Sequence, residues 1–322
     1  MRNRIITWLG LLLFLVIGNS TAQQGLYYKD FKKVAQAGFK FLAIGVGARN
    51  TAMGGAAVTN EGDAASLFWN PAGIASVTDR AIFVGYTSWI AQTSQQSAAA
   101  VFPLGTFGHV GLSALMMNYG VIKGTAISDN DIGYVDTGDL KPSSYSIGLT
   151  YARTLTDKFQ FALTSKYCRE DLTAMAQNTL AFDFGTIYHA GAHGIKIAVV
   201  MQNFVFKQPK YVKEEFMLPL TFRVGVSADM LSLAGMSSEI SRFDMVLEAA
   251  KPRDFSERVH VGGEYWYRNT FAVRGGYRFN YDSEGLTVGV GMKMESFEIG
   301  YSYADFGAFL GNVSRLSAEI RF

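Results

Sequence analysis

From Ala81 to Phe322 apolar and polar positions alternate with a period of two, broken at intervals by turn residues. Phe271, Val273, Tyr277 and Phe279 share one side, and Ala272, Arg274, Gly276 and Arg278 share the other. Leu286, Val288, Val290, Met292 and Met294 oppose Thr287, Gly289, Gly291 and Lys293, and Phe297, Ile299, Tyr301 and Tyr303 oppose Glu298, Gly300 and Ser302. Successive side chains of a strand point to opposite faces of the sheet. One face is therefore apolar and aromatic, and the other carries charge or glycine. A soluble sandwich would need a second sheet over the apolar face. A membrane barrel buries that face in lipid and lines its lumen with the other.

The alternation divides into strands near 81–90, 95–104, 109–118, 144–152, 158–168, 178–187, 194–203, 219–228, 242–250, 258–267, 269–279, 285–294, 296–304 and 313–322. Most approach the roughly 9–11 residues that a tilted membrane strand needs. An even count brings both barrel ends to the same, periplasmic side. The connections then alternate between short turns, such as 105–108 and 295–296, and longer external loops, above all 119–143 and 204–218. The stretch 229–241 is long for the turn side and predicts a short helix over Met230–Ile240. Leu316, Ala318, Ile320 and the terminal Phe322 share the outward face. A final strand of this kind resembles the signal read by the outer-membrane barrel-assembly machinery, which makes that machinery an expected partner.

The N-terminus reads as an export signal. Arg2 and Arg4 precede an apolar run from Ile5 to Ile17, and Ser20-Thr21-Ala22 supplies small residues for cleavage. The expected organisation is a signal peptide at 1–22, a plug segment at 23–80 and a barrel at 81–322. No later stretch reaches the about 18 apolar residues of a spanning helix. Aromatics form 14% of the chain and charged residues 17%, against a usual charged share of about 25%. Such a composition suits a surface that faces outer-membrane lipid. The net charge of +2 argues against a nucleic-acid partner.

Residues 23–80 have a different character. Tyr27–Ala37 predicts a short amphipathic helix, followed by the string IGVGARNTAMGGAAVTNEGDAASLFWNPAGIA from Ile44 to Ala75. Gly45, Gly47, Gly54 and Gly55 allow tight turns and close packing. Asp63 is placed to cap a short helix ending at Trp69. Asn70-Pro71, with Gly73 behind it, ends one local structure and starts another. Arg49 and Met53 complete the candidate set of a compact plug, whose role is structural or gating. The string resembles the N-terminal signature of PorV/PorQ-type proteins of Bacteroidota, which are similar to the fatty-acid transporter (FadL-like) barrels. The resemblance implies a fourteen-stranded barrel with the N-terminal segment in or against it. It also implies a link to type IX secretion, with the translocon or its cargo as partners.

Other chemistry finds little support. The glycines of 45–55 lack a dinucleotide register and a following βαβ unit. His189 and His193 sit in a turn with no third ligand nearby in sequence, and the acidic loop around Asp129 and Asp136 misses the EF-hand register. Glu264, Arg274, Arg278, Glu298, Glu319 and Arg321 are expected to face the lumen and pair across strands, as are Lys196, Asp244 and Glu248. No catalytic set, metal or cofactor is expected.

The sequence thus predicts an all-β, fourteen-stranded antiparallel transmembrane β-barrel (FadL-like) with a short N-terminal plug, in the outer membrane of a Gram-negative bacterium. The expected function is as an interaction component of type IX secretion or a paralogue of one, the alternative being a transporter of small hydrophobic molecules. An arginine in place of outward Tyr301 should be costly, and one in place of inward Ser302 cheap.

Overall fold

The computed structural model describes residues 37–322 apart from 130, 131, 174, 212, 213 and 237. The predicted signal peptide and nearly all of the predicted Tyr27–Ala37 helix lie outside the described residues.

Fourteen strands close into an antiparallel barrel. In chain order they are β1 (Ala81–Ser88), β2 (Ser94–Pro103), β3 (His109–Asn118), β6 (Ser143–Thr156), β7 (Phe159–Asp171), β8 (Ala176–His189), β9 (Lys196–Phe204) and β12 (Thr221–Asp229). They continue with β13 (Ser241–Pro252), β14 (Arg258–Tyr267), β15 (Phe271–Phe279), β16 (Leu286–Met294), β17 (Phe297–Asp305) and β18 (Asn312–Arg321). Four short strands stand outside the barrel as two ribbons, β4 (Ile122–Ile127) with β5 (Tyr134–Leu140) and β10 (Lys210–Tyr211) with β11 (Glu214–Glu215). The two longest predicted loops therefore carry hairpins of their own. β1 pairs with β18, Ala81 opposite Arg321, which leaves no open edge.

Period two explains the faces. Leu286, Val288 and Val290 are 61%, 45% and 54% exposed, while Thr287 between them is 1% exposed. Outward aromatics gather near the strand ends: Tyr267 and Phe271 flank one turn, Phe297 and Phe322 lie beside another, and Tyr277 and Phe279 approach the long-loop end. Such girdles suit the interfaces of a bilayer. The predicted helix over Met230–Ile240 is one turn only, Met230–Leu233, capped by Asp229, whose carboxylate accepts from the Leu231 and Ser232 amides.

The inward face departs from expectation. It is uniformly polar in neither half. From β1 to β9 it is largely small or apolar, with Phe83, Val101, Leu115, Ala152, Ala162, Ile187 and Val200 buried there. These residues form one apolar cluster with Phe39, Phe41, Val58, Leu67 and Ile74 of the N-terminal segment. Charge is concentrated from β12 to β18. At this level the described N-terminal segment packs inside the lumen.

Candidate functional site

The segment from Gly38 to Val77 is a chain of short turns: 3-10 turns at Lys40–Ala43, Ala64–Phe68 and Pro71–Ser76, and a five-residue α-helix at Ala48–Ala52. Each turn is set by local chemistry. Gly47, at φ 80°, enters the helix in a backbone conformation that favours glycine. The Asp63 carboxylate accepts from the Ser66 amide, capping the following turn. The Asn70 side chain accepts from the Ala72 amide, and Pro71 takes the first position of its turn, where its missing N–H costs nothing. Gly54 and Gly55 also have positive φ, at 69° and 76°. Gly45 does not; a Cβ there would instead lie 3.1 Å from the Trp69 ring, so its glycine is a matter of packing.

The barrel is cut to receive this segment. A Cβ on Gly276 would sit 2.2 Å from the Gly54 nitrogen, and one on Gly262 2.4 Å from the Met53 carbonyl oxygen. At Gly289, Gly225 and Gly185 it would meet Ala52, Val58 and Asn70 within 2.5 Å. These inward glycines are clearance for the segment: for its backbone at Gly276 and Gly262, and for its side chains at Gly289, Gly225 and Gly185. Gly73 does the same within the segment, where a Cβ would reach 2.5 Å from the Asn60 carbonyl oxygen.

Ion pairs bind the other side. Arg49 donates from Nε and Nη2 to the two carboxylate oxygens of Glu264 at 2.9 and 2.7 Å, and from Nη1 to Asp63 at 2.9 Å. Burial opposes the Arg49 charge, but Glu264 and Asp63 outweigh it and raise the guanidinium pKa above its ordinary value. Arg274 sits directly across the strand pair from Glu264, donates to it at 2.6 Å, and reaches Glu298 at 3.1 Å. Glu319 accepts the Ala64 amide and pairs with Arg321 along its own strand. Arg278 donates to the Gly54 carbonyl and pairs with Glu284 of a loop. Glu264, Arg274 and Glu298 thus pair from strand to strand as expected, whereas Glu319 and Arg321 pair along one strand and Arg278 turns to the segment and a loop. Asp244 pairs with Arg242, two residues away. Lys196 reaches Glu61 of the segment at 3.2 Å. Burial would raise the Glu61 carboxyl, but Lys196, the Ser76 hydroxyl and His189 together hold it below the ordinary carboxylate range.

Glu248, Trp69 and Asn70 are expected at this site from the sequence, but their partners, and the Lys166–Asp183 pair, are not. Glu248, fully buried, accepts the Ala57 and Val58 amides and pairs with Arg223 at 2.7 Å. Lys166 pairs with Asp183 at 2.8 Å. Asn70 donates to the Val58 and Thr186 carbonyls, at 2.8 and 3.1 Å, stitching segment to wall. The Trp69 indole donates to Val46. Parity along each strand does place Arg223, Asp183, Lys166 and Arg315 inward; their partners are too far away in sequence to be read. Ser302 is 1% exposed, with its hydroxyl 2.9 Å from that of Thr51. It faces packed protein, so the expectation that arginine would be cheap there fails. His189 lies 3.2 Å from Glu61 and His193 bonds to Ser232.

Two cavities flank the segment. One, of about 480 Å³, opens at the long-loop end over Gly45, Gly54, Gly55 and Trp69. The other, of about 370 Å³, lies at the short-turn end beneath Met53, Asn60 and Glu61. The segment is the floor of the first and the roof of the second.

The barrel is similar to solved outer-membrane channels. It superposes on the CymD monoaromatic hydrocarbon channel with a TM-score of 0.56 at 12% identity, covering 86% of this chain and 98% of that one. The Pseudomonas putida toluene transporter TodX gives 0.51 at 12% identity, covering 86% and 97%. A Pseudomonas aeruginosa FadL homologue gives 0.51 at 10%, covering 83% and 96%. At these identities the likeness is one of fold. No curated protein sequence matches the chain. Residues 28–203, more than half of the chain, match the family described as type IX secretion system protein PorV.

Proposed function

The chain belongs to the PorV family of type IX secretion system proteins, and from that premise we propose that it works by holding other proteins at the outer membrane rather than by conducting solutes. The observation that carries this reading is the β4–β5 ribbon on a filled barrel. Every residue of Tyr134–Leu140 is exposed, and Val121, Ile122, Ile127, Ile132 and Tyr134 are large apolar side chains left in solvent. Contiguous apolar exposure of this kind marks an interaction surface. The ribbon stands at the end opposite the short turns, the end expected outside the cell. Its proposed partners are the type IX translocon or its cargo. We further propose that 1–22 is removed on export, that 23–80 is the plug, and that the barrel-assembly machinery inserts the chain through β18. No catalytic step belongs to this function.

The test is affinity purification from native outer membrane of the full chain and of a variant with residues 125–136 replaced by a Gly-Ser turn. The full chain should bring down a large translocon barrel or secreted cargo, and the ribbon variant should lose it while still assembling. Uptake of small hydrophobic molecules has the 480 Å³ cavity in its favour. A lone barrel carrying copurified lipid, unchanged by loss of the ribbon, would support that reading instead.

A further inference from the structure

Ring closure removes the edges within the barrel, but at the long-loop end one strand outruns its neighbour. The pairing of β7 with β8 runs unbroken from Phe159 opposite Tyr188 to Asp171 opposite Ala176, while that of β8 with β9 ends at Phe182 opposite Phe204. The run from Ala176 to Ala181 therefore has a strand on one side only. The alternation of an antiparallel ladder fixes which backbone groups point to the open side. At the two ends of the β7–β8 pair, the Leu172 amide donates to the Met175 carbonyl at 2.9 Å and the His189 amide to the Lys158 carbonyl at 2.8 Å. Counting by twos from either end puts Gln177, Thr179 and Ala181 in hydrogen-bonded pairs with β7. Ala176, Asn178 and Leu180 thus turn their N–H and C=O groups away from β7, and among the described residues no backbone group receives them.

A bare edge is ordinarily protected by a charged residue, a proline or a bulge. This run, Ala-Gln-Asn-Thr-Leu-Ala, carries neither charge nor proline, and its register with β7 is regular. Facing it across a groove of about 590 Å³ is the loop from Phe206 to Lys210, and among the described residues no backbone hydrogen bond joins the two walls. Leu180 and Phe206 are 56% and 79% exposed, and Phe182 meets Phe206 edge to face at 5.3 Å. Two lysines line the groove and no carboxylate does. Lys210 is engaged by Glu215 at 2.9 Å, whereas exposed Lys207 has no ion pair among the described residues.

We propose that the open edge of β8 takes up an extended segment of a partner protein as an added strand. The N–H and C=O groups of Ala176, Asn178 and Leu180 supply the main-chain ladder, over a run of about 20 Å. Side chains of the incoming strand set the choice: apolar ones pack against Leu180, Phe182 and Phe206, and an acidic one reaches Lys207. A lipid offers no row of amides at this spacing, and a folded surface offers one only at an edge of its own. The site is separate from the β4–β5 ribbon and stands whether or not the ribbon binds.

The test uses the full chain in detergent and fluorescein-labelled synthetic peptides, read by fluorescence anisotropy. The probe is acetyl-EVTVEVTV-amide. Its controls are the same peptide with the backbone amides N-methylated, and the basic analogue acetyl-KVTVKVTV-amide. The acidic peptide should bind saturably. The methylated peptide should bind at least about tenfold more weakly, since several hydrogen bonds are lost at once, and the basic one more weakly than the acidic one. Asn178→Pro removes one outward amide and spares the ladder to β7, as proline is tolerated where its nitrogen faces away from the neighbouring strand. It should weaken binding at least about tenfold while the barrel still folds by circular dichroism. Lys207→Glu, on the exposed loop, should reverse the preference between the acidic and basic peptides. The variant with 125–136 replaced by a Gly-Ser turn should bind the acidic peptide as the full chain does, which separates this site from the ribbon. Equal binding of the methylated peptide, or an unchanged preference in Lys207→Glu, would each overturn the proposal, and so would a dimer of the chain that Asn178→Pro dissolves.

Discussion

Arg49 and Glu264, 215 residues apart, meet through two parallel hydrogen bonds inside the barrel. Glu264 is 1% exposed and also holds Arg274. Removing the shared acid leaves two guanidiniums short of a partner, whereas removing Arg49 leaves the Glu264–Arg274 pair intact. Glu264→Ala should therefore destabilise the folded barrel by about 3–5 kcal/mol, and Arg49→Met by clearly less. Denaturant unfolding of the purified barrel checks the order; equal losses would mean that the segment does not share this charge.

Gly275 and Gly276 are neighbours on β15 with opposite duties. A Cβ on Gly276 would strike the backbone of Met53 and Gly54, while one on Gly275 comes no nearer than 4.0 Å to anything. Gly276→Ala should expel or distort the segment, at a cost of about 1–3 kcal/mol or more, and Gly275→Ala should be close to neutral. Protease access to the segment, compared between the two variants, is the measurement. Similar protection in both would disprove the close fit.

Tyr301 and Ser302 test the faces of β17. Tyr301 is 45% exposed on the outside. Arginine there should cost about 2–4 kcal/mol if the position lies at the bilayer midplane. Arginine at Ser302 should also assemble poorly, but for another reason, because it must displace Thr51. Truncating the segment should rescue Ser302→Arg and leave Tyr301→Arg impaired. Rescue of both, or of neither, would contradict this assignment.

Asn70 is fully buried and bonds to Val58, Thr186 and Ala72. Asn70→Ala strands those groups and should lower stability by about 1–3 kcal/mol. The thermal midpoint should fall while solute permeability stays low. Normal stability with raised permeability would make the segment a gate instead.

Much of this architecture is legible in the chain because a lipid-facing strand must repeat with period two. All fourteen strands lie close to where the alternation puts them, and the caps at Asp63 and Asn70 depend on residues two or three positions away. The filling of the lumen is not legible. Glycine at 276 has the same appearance whether it borders water or another backbone, and serine at 302 looks like a pore lining. Arg223 and Glu248 reveal their pairing only once β12 lies beside β13. The helix at Met230 stops early because Gly235 takes a positive φ, 71°, and breaks the turn.

The last strand grips the segment at three points: Ser317 receives the Ala48 amide, Glu319 that of Ala64, and Arg315 donates to Gly45. The same strand joins β1 to close the ring. Closing the ring and packing its lumen therefore draw on one strand, so anything that loosens β18 loosens the seam and the segment together.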